Sequence, residues 1–113
     1  MNKELKLNKF TASNKKIKHF YNNIYINKPS NIITEAIQWD GNDINSIVRF
    51  CGDAINIEII IGLSDHEPDT YKLTLTTPYG NIYVPQKDYI IKIKNNEFII
   101  CQSEIFETFY ERI

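Results

Sequence analysis

Cysteine, glycine and long apolar runs are all scarce in this 113-residue sequence, and each scarcity excludes a class of protein. Two cysteines, Cys51 and Cys101, are too few for a disulfide framework, and neither belongs to a Cys-x-x-Cys pair. Each has apolar neighbours, which predicts two buried free thiols. No apolar run approaches the roughly 20 residues of a transmembrane helix, and no signal-peptide segment follows the N-terminal lysines. We therefore expect a cytoplasmic protein that does not enter a membrane.

The sequence also lacks motifs for phosphate binding and for nucleophilic catalysis. Its four glycines lie scattered at positions 41, 52, 62 and 80, so there is no glycine-rich phosphate loop. Neither His19 nor His66 adjoins a serine or cysteine nucleophile. The loop at residues 65–69 holds metal-ligand side chains, but ligands this close in sequence seldom converge on an ion without help from elsewhere. We predict no enzyme activity, no cofactor and no metal site.

Positive charge is not in excess overall, but it is concentrated at one end of the chain. Thirteen basic residues oppose fourteen acidic ones, whereas a duplex nucleic-acid binder carries a clear cationic excess. Nucleic acid is therefore an unfavoured partner. The first 28 residues nevertheless contain seven lysines and a single acid, Glu4. We interpret residues 1–20 as a lysine-rich extension, either a solvated terminus or a partner-binding arm, and residues 21–113 as one α+β domain.

Hydrophobic periodicity predicts a strand followed by a helix near the start of that domain. Residues 32–39 alternate as a strand in which Ile37 and Trp39 face inward. A helix then begins at Asn42 as N-cap and ends at Gly52 as a left-handed C-cap. One side of this helix carries an apolar stripe of Ile44, Ile47, Val48 and Cys51.

The rest of the domain reads as strands, two hairpins and a short C-terminal helix. Residues 20–26 predict a short strand and residues 57–63 a buried one. The hairpins turn at residues 77–80 and 95–96. Ser103 is the predicted cap of the C-terminal helix, in which Ile105, Phe109 and Ile113 form an apolar row. We expect a strongly bent, mostly antiparallel sheet or a small open barrel of five to six strands, with one helix after the first core strand and a short C-terminal helix.

Aromatic residues beside acids at turns are the candidate ligand-binding residues. Aromatic rings with polar tips can stack on a base or line a pocket, and the turn positions suggest exposure. Core packing is the alternative role for the rings, and turn bonding is the alternative for the acids. The predicted set is Trp39, Asp40, Tyr79, Asp88, Tyr89 and Glu97.

An ordered series of motifs resembles a family of small phage and prophage proteins of Gram-positive bacteria. The motifs are Tyr-Ile-Asn-Lys-Pro at 25–29, Glu-Ala-Ile-Gln-Trp-Asp-Gly at 35–41, Asp-Tyr-Ile-Ile at 88–91, Glu-Phe-Ile-Ile-Cys at 97–101 and Ile-Phe-Glu-Thr-Phe-Tyr-Glu at 105–111. The chain departs from the family pattern at Lys87 and at residues 95–96, where glycine is usual. The resemblance implies a phage or prophage origin and the host bacterial cytoplasm as the setting, but no activity is established for the family.

These observations together favour a non-catalytic phage accessory protein that binds a small molecule. We expect a homo-oligomer that sequesters a nucleotide-type bacterial defence signal. The alternative is an anti-defence inhibitor, similar in its action to an anti-CRISPR protein, that binds a host defence protein directly. A nucleic-acid-binding accessory protein is the weakest hypothesis because of the net charge.

Overall fold

The computed structural model describes residues 23–94 and 97–113, which form eight strands and two α-helices. In chain order the elements are β1 (Ile24–Asn27), β2 (Ile33–Gln38), α1 (Ile44–Cys51), a 3-10 turn (Gly52–Ala54), β3 (Ile55–Ile60), β4 (Thr70–Thr77), β5 (Gly80–Val84), β6 (Tyr89–Lys94), β7 (Glu97–Cys101), α2 (Ser103–Phe109) and β8 (Tyr110–Arg112). The α+β class is confirmed. The predicted lysine-rich extension at residues 1–20 and the turn at residues 95–96 lie outside the described residues.

The strands form two antiparallel sheets rather than one. Sheet A has the order β7-β6-β2-β1-β8, and sheet B has the order β3-β4-β5. The predicted five to six strands in a single bent sheet or open barrel are therefore wrong in number and arrangement. β1 overlaps the strand predicted at residues 20–26, whereas β8, with three residues, is too short for periodicity to reveal it. The second sheet supplies the opposite wall of the core, so a single sheet does not have to close around it.

Sheet A lies between two apolar layers. One of its faces shares the main core with sheet B and α1, and the predicted inward positions of Ile37 and Trp39 are confirmed there. The other face is covered by α2, where Phe106 stacks on Tyr89 with ring centroids 3.9 Å apart. The main core consists of Ile37, Trp39, Ile90 and Phe98 from sheet A or its end, Leu73, Leu75 and Val84 from sheet B, and Ile47 and Cys51 from α1.

Helix α1 begins at a different cap from the one predicted. Asp43 is the N-cap, because its carboxylate accepts hydrogen bonds from the Ser46 amide at 3.1 Å and the Ser46 hydroxyl at 2.7 Å. Asn42 precedes the cap, and its amide donates to Asp40 Oδ1 at 2.7 Å. A carboxylate suits the positive end of the helix dipole. At the other end Gly52 is the C-cap with the predicted positive φ, +58°, but its ψ of −129° lies outside the left-handed helical region, so the predicted left-handed cap does not form.

Helix α2 is shorter than the apolar pattern suggested. The predicted cap at Ser103 is wrong, because the N-cap position is Gln102 and Ser103 is the first helical residue; the helix ends at Phe109. Phe106 is buried, whereas Phe109 is half-exposed. The following residues form β8, which pairs with β1 and brings Arg112 opposite Tyr25. The helix thus ends where the following residues can instead form backbone hydrogen bonds with the edge of β1.

Strand β3 is an edge strand, and the prediction of a buried strand at residues 57–63 is wrong. Among the strands that the structure describes it pairs only with β4, and its second half is exposed. A run of β-branched residues is typical of buried strands, but sequence alone does not show on which side of a sheet a neighbour lies.

Candidate functional site

The predicted aromatic residues do not converge on one site. Trp39 is 2% exposed and Tyr89 is 6% exposed, and they belong to cores on opposite faces of sheet A. The exposure predicted from their positions beside turns is wrong, and for Trp39 the inward direction predicted from strand alternation is the correct one. The alternation of β2 and β6 continues to these positions and directs each ring into a packed layer. Tyr79, at the β4–β5 turn, is 96% exposed as predicted, but it lies on sheet B.

The predicted acids are also distributed over the fold. The carbonyl of Asp88 accepts a hydrogen bond from the Trp39 amide at 2.9 Å, so Asp88 is hydrogen-bonded through its backbone to the residue that follows β2. Glu97 lies at the other end of β6, with its carboxylate 3.8 Å from Lys94 Nζ. The length of β6 separates the two acids by roughly 17 Å at the usual strand rise. Of the six predicted residues, Asp40 alone lines the cavity described next.

A cavity of about 410 Å³ lies between the end of β2, the exposed side of α1 and Arg112 of β8. The pairing of β1 with β2 reaches only as far as Glu35, after which the Asn23 carbonyl accepts from the Ala36 amide at 2.9 Å. Among the described residues, no strand continues beside Ile37 and Gln38 on that side. The cavity occupies this open end, with α1 as its second wall.

Both arginines of the chain line this cavity. Arg49 comes from the last turn of α1, and its Nη2 lies 3.4 Å from the Ser46 hydroxyl. It forms no ion pair with any residue that the structure describes. Arg112 donates a hydrogen bond from Nη2 to the Tyr25 hydroxyl at 2.8 Å, which holds its guanidinium at the cavity wall.

Two carboxylates balance the two guanidinium groups. Asp40 Oδ1 accepts hydrogen bonds from the amides of Asn42 and Asp43 at 2.7 and 2.8 Å. The hydrogen bonds from Ser46 to Asp43 lower the pKa of that N-cap carboxyl. Asp43 is therefore ionised at neutral pH. The cavity offers anionic acceptors on one part of its wall and cationic donors on another.

Burial suppresses the ionisation of two phenols and a thiol near these layers. Burial raises the pKa of Tyr25, and the charge of Arg112 opposes that rise. Burial and the hydrogen bond to Glu107, whose Oε2 lies 3.0 Å from the phenol oxygen, raise the pKa of Tyr89. Burial raises the pKa of Cys51 to about 12. These three groups are protonated near neutral pH, so none of them is an ionised nucleophile.

The loop at residues 65–69 does not assemble a metal-ligand cluster. Asp69 Oδ1 accepts from the Gly62 amide at 3.0 Å, and the Ser64 hydroxyl accepts from the His66 amide at 3.3 Å. Within residues 23–94 and 97–113, no group of three or more His, Cys, Asp or Glu side chains is placed to hold an ion. In the same part of the chain, no helix has the length and apolarity needed to cross a membrane.

The sequence-based set of site residues omits Arg49 and Arg112. A compositional signal for them exists, since only two of the thirteen basic residues are arginines and the other eleven are lysines. Arginine offers a planar fork of donors that matches phosphate and carboxylate groups, which lysine does not. Rare arginines in a lysine-rich chain are thus candidates for such a role, but only the fold shows that these two share a cavity.

Comparison with known protein families, with curated proteins and with solved structures finds no match to this chain. The resemblance to the phage and prophage proteins therefore remains a prediction.

Proposed function

We propose that this protein binds a small anionic molecule of nucleotide type, without catalysis, in the cavity between α1 and β8. The observation that carries the proposal is the presence of both arginines of the chain on the wall of this one cavity. Guanidinium groups form strong, charge-assisted hydrogen bonds with phosphate oxygens. Arg49 forms no ion pair within 4.0 Å among the described residues, although its charge acts on the nearby Asp43 carboxylate, so a ligand anion can reach its guanidinium without displacing a direct ion pair.

The other wall residues support a nucleotide rather than a bare anion. Asp40 and Asp43 are acceptors for ligand hydroxyl or amino groups, such as those of a ribose or a base. Ile37 and Phe50 add apolar and aromatic surface on which a base can pack. The cavity volume of about 410 Å³ lies within the roughly 300–1,000 Å³ that small-molecule sites occupy.

The biological role that we propose is sequestration of a nucleotide-type bacterial defence signal by a phage accessory protein in the host cytoplasm. The support for this role is the phage-family resemblance of residues 25–111 together with the mixed-charge cavity. A protein that sequesters a nucleotide needs high affinity and high abundance, but it does not have to convert the nucleotide chemically. A site without an ionised nucleophile is consistent with this role.

Direct inhibition of a host defence protein is the second candidate function. The observation in its favour is the exposed apolar side chains at the end of β3, including Ile61 and Leu63. Contiguous exposed apolar surface often marks a protein interaction site.

The test is ligand retention followed by binding to defined probes. The full chain purified from bacterial cells is analysed by native mass spectrometry, and any retained molecule is released and identified. Calorimetry then measures binding of AMP, ADP-ribose, a cyclic dinucleotide and inorganic phosphate. We expect stoichiometric binding of at least one nucleotide and much weaker binding of phosphate alone.

Substitutions at Arg49 assign any binding to the cavity. Arg49→Gln is expected to weaken nucleotide binding by about tenfold or more, since it removes a charge-assisted contact. Arg49→Lys keeps the positive charge but loses the planar set of guanidinium donors. Its nucleotide affinity should therefore lie between those of the wild type and Arg49→Gln. Lys72→Gln, on sheet B, is the matched control and should bind like the wild type. A chain that binds none of the nucleotides, or an Arg49→Gln variant with unchanged affinity, would contradict the proposal.

A further inference from the structure

The outer edge of β3 carries exposed apolar side chains beside backbone groups that pair with no strand of the described residues. Within residues 23–94 and 97–113, β3 lies at one edge of sheet B and pairs only with β4. The exposed fractions are 60% for Ile59 and 50% for Ile60 at its end, and 72% for Ile61 and 92% for Leu63 just after it. Single exposed apolar residues are ordinary, but here four lie within five positions at one end of sheet B.

Each of the other edge strands carries or adjoins a feature that disfavours pairing with another strand, whereas β3 has only the single charge of Glu58. β8 has three residues, two of them charged, and β5 is followed directly by Pro85. β7 follows a register shift in its hairpin partner β6 between Lys92 and Lys94. The β3–β4 register, in contrast, runs without interruption, and β3 contains neither lysine nor proline. An edge strand without these features is a template for another strand.

We infer that β3 pairs with the β3 strand of a second copy of this chain, antiparallel and about a two-fold axis at Ile59. The two copies of sheet B then form one continuous six-stranded sheet. On one face Ile59 lies opposite its own copy, and Ile57 lies opposite Ile61 of the second copy. These pairs extend the apolar ladder that Ile57 and Ile59 already form with Leu73 and Tyr71 within the chain.

Charge and symmetry favour a second copy over an unrelated strand. Glu58 is the only charged residue of β3, and within the chain it is the register partner of Lys72. In the two-fold register Glu58 lies opposite Ile60 of the second copy, so no like charges meet directly. A two-fold contact covers the β3 edges of both copies at once, so the assembly closes as a dimer. An unrelated strand that pairs with β3 would leave its own second edge uncovered.

A matched pair of substitutions at Ile60 tests both the interface and its register. Sedimentation velocity of the full chain over a range of concentrations is expected to show a monomer–dimer equilibrium. Ile60→Glu places two carboxylates opposite each other and should raise the dimer dissociation constant about tenfold or more. Ile60→Lys places a lysine opposite Glu58 of the second copy and should retain the dimer. Both variants add one charge at the same exposed site, so a difference between them does not arise from loss of folding.

Cysteine cross-linking locates the axis independently. Ile59→Cys is expected to form a reducible covalent dimer under mild oxidation, because the two sulfurs face each other at the axis. Ile99→Cys, on the edge strand β7 with a similar exposure, and the wild type should remain uncrosslinked. A monomeric wild type at all concentrations, a dimer equally affected by both Ile60 variants, or cross-linking of Ile99→Cys rather than Ile59→Cys would each overturn the inference. None of these outcomes depends on nucleotide binding.

Discussion

The guanidinium of Arg112 and the hydroxyl of Tyr25 form a 2.8 Å hydrogen bond between the last strand and the first. The two residues are also register partners in the β1–β8 pair. Both line the cavity, so one contact anchors the C-terminal strand and shapes the candidate site.

Tyr25→Phe should lower the free energy of unfolding by about 1–2 kcal/mol, because it removes the acceptor of a charge-assisted hydrogen bond and leaves the ring packing in place. Urea denaturation followed by circular dichroism measures the change. Tyr110→Phe is the matched control, since its ring stacks on Phe106 and no hydrogen bond involves its hydroxyl within the described residues. We expect that control to change stability by less than about 0.5 kcal/mol. Equal losses in the two variants would show that the Tyr25–Arg112 bond adds nothing.

Trp39→Ala should cost about 3–5 kcal/mol of stability, because the ring is 2% exposed and belongs to the main core. Chemical denaturation monitored by circular dichroism tests this expectation, since Trp39 is the only tryptophan and its fluorescence is lost in the variant. Tyr79→Ala removes a ring of 96% exposure and should change stability by less than about 0.5 kcal/mol. A stable Trp39→Ala variant would contradict the packing described above.

The stability of the protein should fall as the pH rises from about 9 towards 12, in part because of Cys51. Burial raises the pKa of this thiol from 9.0 to about 12. The unfolded thiol therefore loses its proton first, so the contribution of Cys51 is complete below pH 9 and is lost as the pH rises through 12. Denaturation midpoints at pH 8, 9.5 and 10.5 should decline less steeply for Cys51→Ala than for the wild type. Parallel declines would remove Cys51 from the explanation.

Thiol labelling gives a second check on the two cysteines. Cys51 is buried as predicted, whereas Cys101 is partly exposed, so its predicted burial is wrong. At pH 8 we expect a thiol reagent to modify Cys101 first and Cys51 only at the rate of unfolding. Mass spectrometry of peptides sampled over time distinguishes the sites, and early modification of Cys51 would contradict its burial.

Lys87→Gly should stabilise the fold by up to about 1 kcal/mol. Lys87 has a φ of +83°, which a side chain disfavours and glycine adopts without a steric cost. The position is the one at which the resembling phage proteins usually carry glycine, and its amide donates to the Trp39 carbonyl at 2.6 Å. Lys87→Ala keeps a side chain at the same φ and should show no such gain. Thermal melting of the three proteins measures the difference, and a destabilised Lys87→Gly variant would contradict this account.

Several local elements could be predicted because their signals lie within a few residues. The apolar stripe containing Ile47 and Cys51 predicted α1, and the helix ends at the predicted place, with Gly52 as its C-cap residue. The turn before Gly80 and the inward direction of Trp39 follow from chemistry between near neighbours. Of the residues that line the cavity, only Asp40 was among the candidates predicted from the sequence. Its prediction was possible because the turn that follows β2 is a local feature.

The composition and periodicity of this sequence determined an α+β protein with a helix after the second strand, because both depend on the spacing of apolar side chains along the chain. The tertiary structure alone decided that the strands divide into two sheets, that β3 lies at an edge, and that Arg49 and Arg112 share a cavity. These outcomes depend on which distant segments pair, a choice set by the burial of whole faces and by backbone hydrogen bonds between them. No periodicity within one segment records that choice.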